Sequence, residues 1–302
     1  MKVEAINLAK SFGSKKAVDN LSFTLKEGSV TGFLGPNGSG KSTTLRLMMG
    51  LDHGSGETLF DGKPLGQYKY VTKVVGTHLD AKLFHPNRTA RDHLRMIAAE
   101  SGVTKSRVEE VLELMGLSDV SKKRPKGFSL GMAQRLGLAG AVLAEPEVLF
   151  LDEPANGLDP ATIHWLRDFI RKYAQSGKSV LVSSHLLSEM ELMADDLIVI
   201  ARGQLIANES MESFIRKNSG GKIQVRVDNS ENLLKVLSAK GINAQVHDGL
   251  IQVEVKDTDT IGHIAFENGI RVLELSENRD SLETTFLRLT DDKQEFETGG
   301  HK

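Results

Sequence analysis

The sequence predicts an α/β sheet domain with a helical insertion, followed by a small α+β domain. Three observations predict it. A glycine-rich loop, Gly35-Pro36-Asn37-Gly38-Ser39-Gly40-Lys41-Ser42-Thr43, stands between an apolar run and a helix-forming stretch. A second apolar run, Val148 to Asp152, closes on two carboxylates, and Asp152 lies 111 residues beyond Lys41 with a helical block between them. Past Gly220-Gly221 the remaining elements follow the order β-α-β-β-α-β.

The elements follow from local pattern. Short apolar runs separated by polar turns put strands at 3–8, 21–25 and 30–34, with Phe12 on the connection between the first two. Further strands are expected at 57–60 and 73–76. From Thr89 the apolar residues recur at i, i+3 and i+4, which predicts helices over 89–99, 104–115 and 129–144. Thr89 and Thr104 are candidate N-caps, and Gly102 and Gly116 candidate stops. Val148 to Asp152 is continuously apolar up to its acids, as a strand buried on both faces must be. Helix 160–175, strand 179–183, helix 186–193 and strand 197–201 follow, the alternation of a parallel sheet. The step at 218–221 reads as a linker. Strand 222–227, helix 230–239, strands 243–247 and 250–255, helix 257–268 and strand 270–275 then make a ferredoxin-like order, with a helix expected at 281–289. The predicted domains are 1–217, with the helical part at about 88–145, and 222–290, with a polar tail at 291–302.

The glycine-rich loop fits G-x-x-x-x-G-K-[ST] in the strand–loop–helix setting that the pattern requires. Glycines let successive N–H groups converge on one concavity, and the following helix adds its positive N-terminal end. Lys41 is expected to reach the β- and γ-phosphates and the Ser42 hydroxyl to ligate Mg²⁺. Asp152 is assigned to the metal, and Glu153 to the base that polarises the attacking water.

Composition narrows the class. The 302 residues carry a net charge of −2 and no cysteine, which removes disulfide and thiolate chemistry and gives no support to nucleic-acid binding. No apolar stretch approaches the ~20 residues of a membrane span, and Met1-Lys-Val-Glu-Ala5 has no secretory pattern. A cytoplasmic chain is expected, held at a membrane only through a partner. The absence of any Asn-Lys dipeptide disfavours a P-loop GTPase.

Together these residues resemble the ATP-binding cassette (ABC) family. Gly35 to Thr43 matches its Walker A motif, Val148 to Glu153 its Walker B, Asn156-Gly-Leu-Asp159 its D-loop, and Ser184-His185 its switch histidine. Phe128-Ser-Leu-Gly-Met132 lies where the signature belongs. The resemblance covers about the first two-thirds of the chain. It implies ATP and Mg²⁺ as ligands and a head-to-tail pair of cassettes. Each ATP would lie between the P-loop of one copy and Ser129 and Gly131 of the other. Asp159 would shape the contact, and His185 would bind the γ-phosphate.

Three positions depart from the family pattern. Phe12 replaces the usual adenine-stacking Tyr. Leu130 and Met132 replace a Gly and a Gln in the signature. Asp80, or less favourably His78, stands where the Q-loop Gln belongs. The whole chain, and the stretch from Val75 to Arg91, resembles ATPase subunits of bacterial drug- and bacteriocin-type exporters. That implies a separate membrane permease as partner, with the chain peripheral on the inner face of the membrane. A soluble repair- or translation-type ABC ATPase and a non-hydrolysing regulatory cassette are the alternatives.

Overall fold

The structure, a computed structural model, describes residues 1–80, 84–85, 87–218, 222–247, 250–255 and 258–278. The helix expected at 281–289, the tail and the Gly220-Gly221 step lie outside these residues. The chain divides into two compact units, the second beginning at Glu212.

In the first unit the strands are β1 (Val3–Phe12), β2 (Lys15–Leu25), β3 (Val30–Leu34), β4 (Ser55–Phe60), β5 (Lys63–Pro64), β6 (Val75–His78), β7 (Val148–Leu151), β8 (Ser179–Ser184), β9 (Asp196–Ala201) and β10 (Gln204–Ser210). The helices are α1 (Lys41–Met48), α2 (Val71–Val74), α3 (Ala90–Glu100), α4 (Lys105–Leu114), α5 (Leu130–Val142), α6 (Pro160–Gln175) and α7 (Leu187–Glu191). An antiparallel sheet runs β2-β1-β4-β5, and a six-stranded sheet runs β10-β9-β3-β8-β7-β6, parallel except for β10 at its edge. All residues of β3, β7 and β8 are buried, which explains the unbroken apolar run of β7 and the mostly apolar runs of the other two. Phe23, Phe33, Phe60 and Phe150 anchor a core shared by the two sheets, with ring centroids 5.7 Å apart for Phe23–Phe33 and 6.3 Å for Phe60–Phe150.

Helices α3, α4 and α5 form the insertion. Leu94, Val108, Leu112, Met115 and Leu136 are buried. Thr89 caps α3 by accepting the Asp92 N–H at 3.1 Å. Thr104 precedes α4 but its hydroxyl pairs with Ser106 Oγ instead. Gly102 and Gly116 both take φ of +66°, the left-handed stop that an L side chain resists.

Three details differ from expectation. Residues 71–74 turn helical, so the strand expected at 73–76 begins at Val75 and takes in His78. Phe12 ends β1 rather than lying on the connection after it. Strand β10 was not foreseen, because its alternation is weak at a half-exposed edge.

Helix α8 (Met211–Asn218) lies at the join between the units. The second unit holds β11 (Lys222–Val227), α9 (Ser230–Ala239), β12 (Ala244–His247), β13 (Leu250–Glu254), α10 (Thr258–Glu267) and β14 (Val272–Asn278). Its sheet order, β12-β13-β11-β14, is antiparallel throughout. One sheet face packs Ile223, Val225, Ile251 and Val253 against Leu233, Leu237, Ile261 and Ile264 of the two helices.

Candidate functional site

The parallel sheet brings the carboxyl ends of β3, β6, β7 and β8 to one edge, where open α/β sheets bind ligands. The glycine-rich loop leaves β3 there and enters α1. Gly40 adopts φ +107°, and a Cβ on it would overlap the Ala17 carbonyl. A Cβ on Gly35 would overlap the Ser39 hydroxyl and the Ile200 carbonyl. Glycine is therefore required at both positions, where the loop packs closely on β2 and β9. Gly38 is also left-handed, at φ +78°. Ser39 is buried and its Oγ has no protein partner. Pro36 is half-buried, Asn37 exposed, and Ser42 exposed in the first turn of α1 with Thr43 half-buried behind it.

Lys41 is the centre of the site. It is 6 % exposed, and its Nζ donates to the Gly35 carbonyl at 2.7 Å and the Pro36 carbonyl at 3.3 Å. It also pairs with Glu153 Oε1 at 3.2 Å. The other Glu153 oxygen, Oε2, meets His185 Nδ1 at 2.7 Å. A carboxylate only accepts, so Nδ1 carries the proton in this contact and Nε2 faces away from Glu153. Lys41 opens α1, Glu153 follows β7 and His185 follows β8, and the three form one continuous line, Lys41–Glu153–His185.

Ser183 holds both acids. Its buried hydroxyl donates to Asp152 Oδ1 and accepts the Glu153 N–H at 2.9 Å, while Glu153 is kept at φ +48°. The Asp152 N–H donates to the His78 carbonyl at 2.8 Å, which ties β7 to β6. Ser184 Oγ donates to Glu189 Oε2 at 2.9 Å and accepts the Leu186 N–H at 3.0 Å. Burial, with nearby Glu153 adding, pushes the Glu189 carboxyl up from its ordinary value; the Ser184 bond and His185 oppose this. Ser183 and Glu189 are absent from the site expected from sequence, and Ser184 enters it only as the neighbour of His185. Their signal was two serines closing an otherwise apolar strand.

The structure thus joins Lys41, Asp152, Glu153 and His185. Asp80 is exposed just past β6, two residues beyond the buried His78. Phe12 is 56 % exposed under the Lys10 ammonium, which lies 5.1 Å from its ring centroid. Ser129, Gly131 and Asp159 form a second cluster. Ser129 caps α5 by accepting the Met132 N–H at 3.3 Å, and Asp159 caps α6 by accepting the Thr162 N–H at 2.9 Å. That bond, with a second from the Thr162 hydroxyl, holds the Asp159 carboxyl below its ordinary value. A Cβ on Gly131 would stand 3.5 Å from Thr162, and one on Gly157 2.8 Å from Leu130, so the two helix starts lie side by side. Ser129 and Asp159 are exposed.

The glycine-rich loop lies beside a carboxylate held by a lysine and a histidine, and comparison with known proteins identifies the family. A family model described as "ABC transporter" matches residues 18–156. An uncharacterized ABC transporter ATP-binding protein of Bacillus subtilis is 37 % identical, over 97 % of both chains. The chain belongs to the ABC transporter ATP-binding family. A bacitracin transport ATP-binding protein of Bacillus licheniformis is 36 % identical over 95 % of this chain and 96 % of that one. A lantibiotic transport ATP-binding protein of Streptococcus pyogenes is 35 % identical over 68 % of this chain and 90 % of its own. A solved ATP-binding subunit of an ABC transporter superposes with a TM-score of 0.65 at 25 % identity, covering 72 % of this chain and 93 % of that one. A model for a domain of unknown function matches residues 221–283. This ABC protein is an ATPase, and among the described residues no helix is long and apolar enough to cross a membrane.

Proposed function

We propose that this ABC ATPase is the motor of an exporter for an antibiotic or peptide, working as a pair of cassettes beside a separate membrane permease. The relatives named for bacitracin and lantibiotic transport support the class of cargo. The observation that carries the mechanism is the Lys41–Glu153–His185 line.

Without nucleotide, Glu153 is the anionic partner of Lys41. Entering phosphates take over Lys41, together with the N–H groups of residues 38–43 and the positive end of α1. Glu153 is thereby released to accept a proton from the attacking water. That water's oxygen bonds to the γ-phosphorus while the bond to the β-phosphate oxygen breaks, leaving ADP and phosphate. His185, anchored by Glu153 through Nδ1, presents Nε2 to the γ-phosphate, where a proton on Nε2 lets it donate. Phe12 offers an exposed ring face to adenine. Asp80 supplies a polar group from the β6 end in place of an amide.

The residues suit Mg²⁺. Ser42 and Asp152 offer two oxygen donors. This is the sparse oxygen set of an ion that keeps waters and binds mainly through phosphates. When bound, it would neutralise phosphate charge.

Ser129 and Asp159 are exposed, and Gly131 is half-buried between them at the adjoining helix starts. Their exposure at two helix starts supports their use by a second copy, whose ATP would be completed there. Phosphate release from Mg-ATP by the purified chain, alone and with the membrane protein that co-purifies with it, tests the reading. Turnover that depends on Lys41 and Glu153 is expected, and its absence in both preparations refutes it.

A further inference from the structure

His78 is the last residue of β6 and is 3 % exposed; Gln134 is on α5 and is 6 % exposed. His78 Nε2 is hydrogen-bonded to Gln134 Oε1. The amide oxygen accepts, so Nε2 donates. Gly137, one turn along α5, lies against the imidazole, and a Cβ there would overlap the ring. The histidine is thus seated in α5 as well as bonded to it. Its backbone faces the catalytic edge, since its carbonyl accepts the Asp152 N–H and Asp80 follows two residues on. Gln134 sits on the helix whose first turn carries Ser129 and Gly131.

Apolar packing does not fill this seam. A cavity of about 260 Å³ lies beside the pair, lined from β6, α3 and α5 by residues that include His93, Gly137 and Gly140. Side chains that border a cavity have fewer packed neighbours to fix their spacing than side chains in a filled core. A directional hydrogen bond between two buried side chains supplies that definition, because leaving either group unpaired is costly.

We propose that the His78–Gln134 hydrogen bond is a positioning element that fixes the signature helix α5 in register with Asp80 and Asp152. The two halves of the nucleotide chemistry, carried by the insertion and by the sheet, then move as one. The inference rests on the proposed ATPase mechanism, and its test keeps the two separable.

The double variant H78L/Q134L removes both polar groups and retains similar volume, which leaves no orphaned partner and preserves folding. Its kcat is expected to fall roughly tenfold, while the Kd for ATP stays within about twofold because the P-loop is untouched. A second readout needs no turnover. Trp165 is the only tryptophan, and Arg135, adjacent to Gln134, stacks on it with the guanidinium carbon 4.1 Å from the ring centroid. If the pair sets the place of α5, Trp165 emission shifts in the double variant while the melting temperature stays near the parent's. A double variant with parental kcat and parental emission overturns the proposal. A parent chain without ATP turnover sinks the preceding mechanism, and Trp165 emission still decides this one.

Discussion

Glu153→Gln separates the two tasks given to this carboxylate. In the nucleotide-free chain Glu153 competes with phosphate for Lys41, at 3.2 Å, with side chains 22 % and 6 % exposed. At an effective dielectric near 20 two unit charges at that distance attract by about 5 kcal/mol before desolvation. Hydrogen bonds to charged groups contribute roughly 1.5–3 kcal/mol net. The Gln amide oxygen still accepts from Lys41, so about 1–2 kcal/mol of the competition disappears, and ATP should bind roughly five- to thirtyfold more tightly. Loss of the base should cut turnover by about 10²–10⁴. Calorimetric titration with Mg-ATP and a phosphate-release assay on the same preparation read both effects. Turnover above a tenth of the parent's refutes the base assignment. ATP bound no more tightly than by the parent refutes the claim that Glu153 masks Lys41.

Further outcomes follow from the same geometry. Gly40→Ala forces an L side chain to φ +107° against the Ala17 carbonyl. It should cost about 1–3 kcal/mol and abolish ATP binding, seen as a lowered melting temperature that ATP no longer raises; a parental melting curve contradicts the requirement for glycine. Burial, the largest cause at both, holds His78 and His93 below the ordinary histidine value. Their folded pKa values lie under the unfolded ones, so the unfolded chain binds more protons. Stability should be level above about pH 7 and fall as pH drops through the unfolded value near 6.5, by up to about 1.4 kcal/mol per unit for each group. Glu189, with its pKa raised, works in the opposite direction where it titrates. Urea unfolding at pH 7.5 and 5.5 checks the sign, and greater stability at pH 5.5 contradicts it.

Much of this was legible in the residues. Val148 to Leu151 reads as a buried strand because both its faces are covered, so no polar position interrupts it. Lys41 was legible from the glycine-rich pattern, Asp152 and Glu153 as the acids closing an apolar strand, and His185 through the resemblance of Ser184-His185 to the switch motif. His78 was not. In sequence it is only the less favoured stand-in for the Q-loop Gln, and the role proposed for it needs Gln134, 56 residues away, and a glycine that makes room for it. Ser183 likewise looks like strand filler until the register sets it against Asp152. Strand β10 escaped because its half-exposed residues give no clear alternation. Ser129 was assigned to a partner's nucleotide and Asp159 to the contact between copies, and within one chain both are visible as helix caps.

Mixing two inactive variants tests the shared site most directly. Lys41→Ala disables a P-loop, and Ser129→Asp keeps the α5 cap while setting a carboxylate against the γ-phosphate. Random pairing makes about half of all dimers mixed, each with one whole site of two, so the mixture should hydrolyse ATP at roughly a quarter of the parent rate. A mixture as inactive as either variant alone would contradict a site built from two copies of this chain.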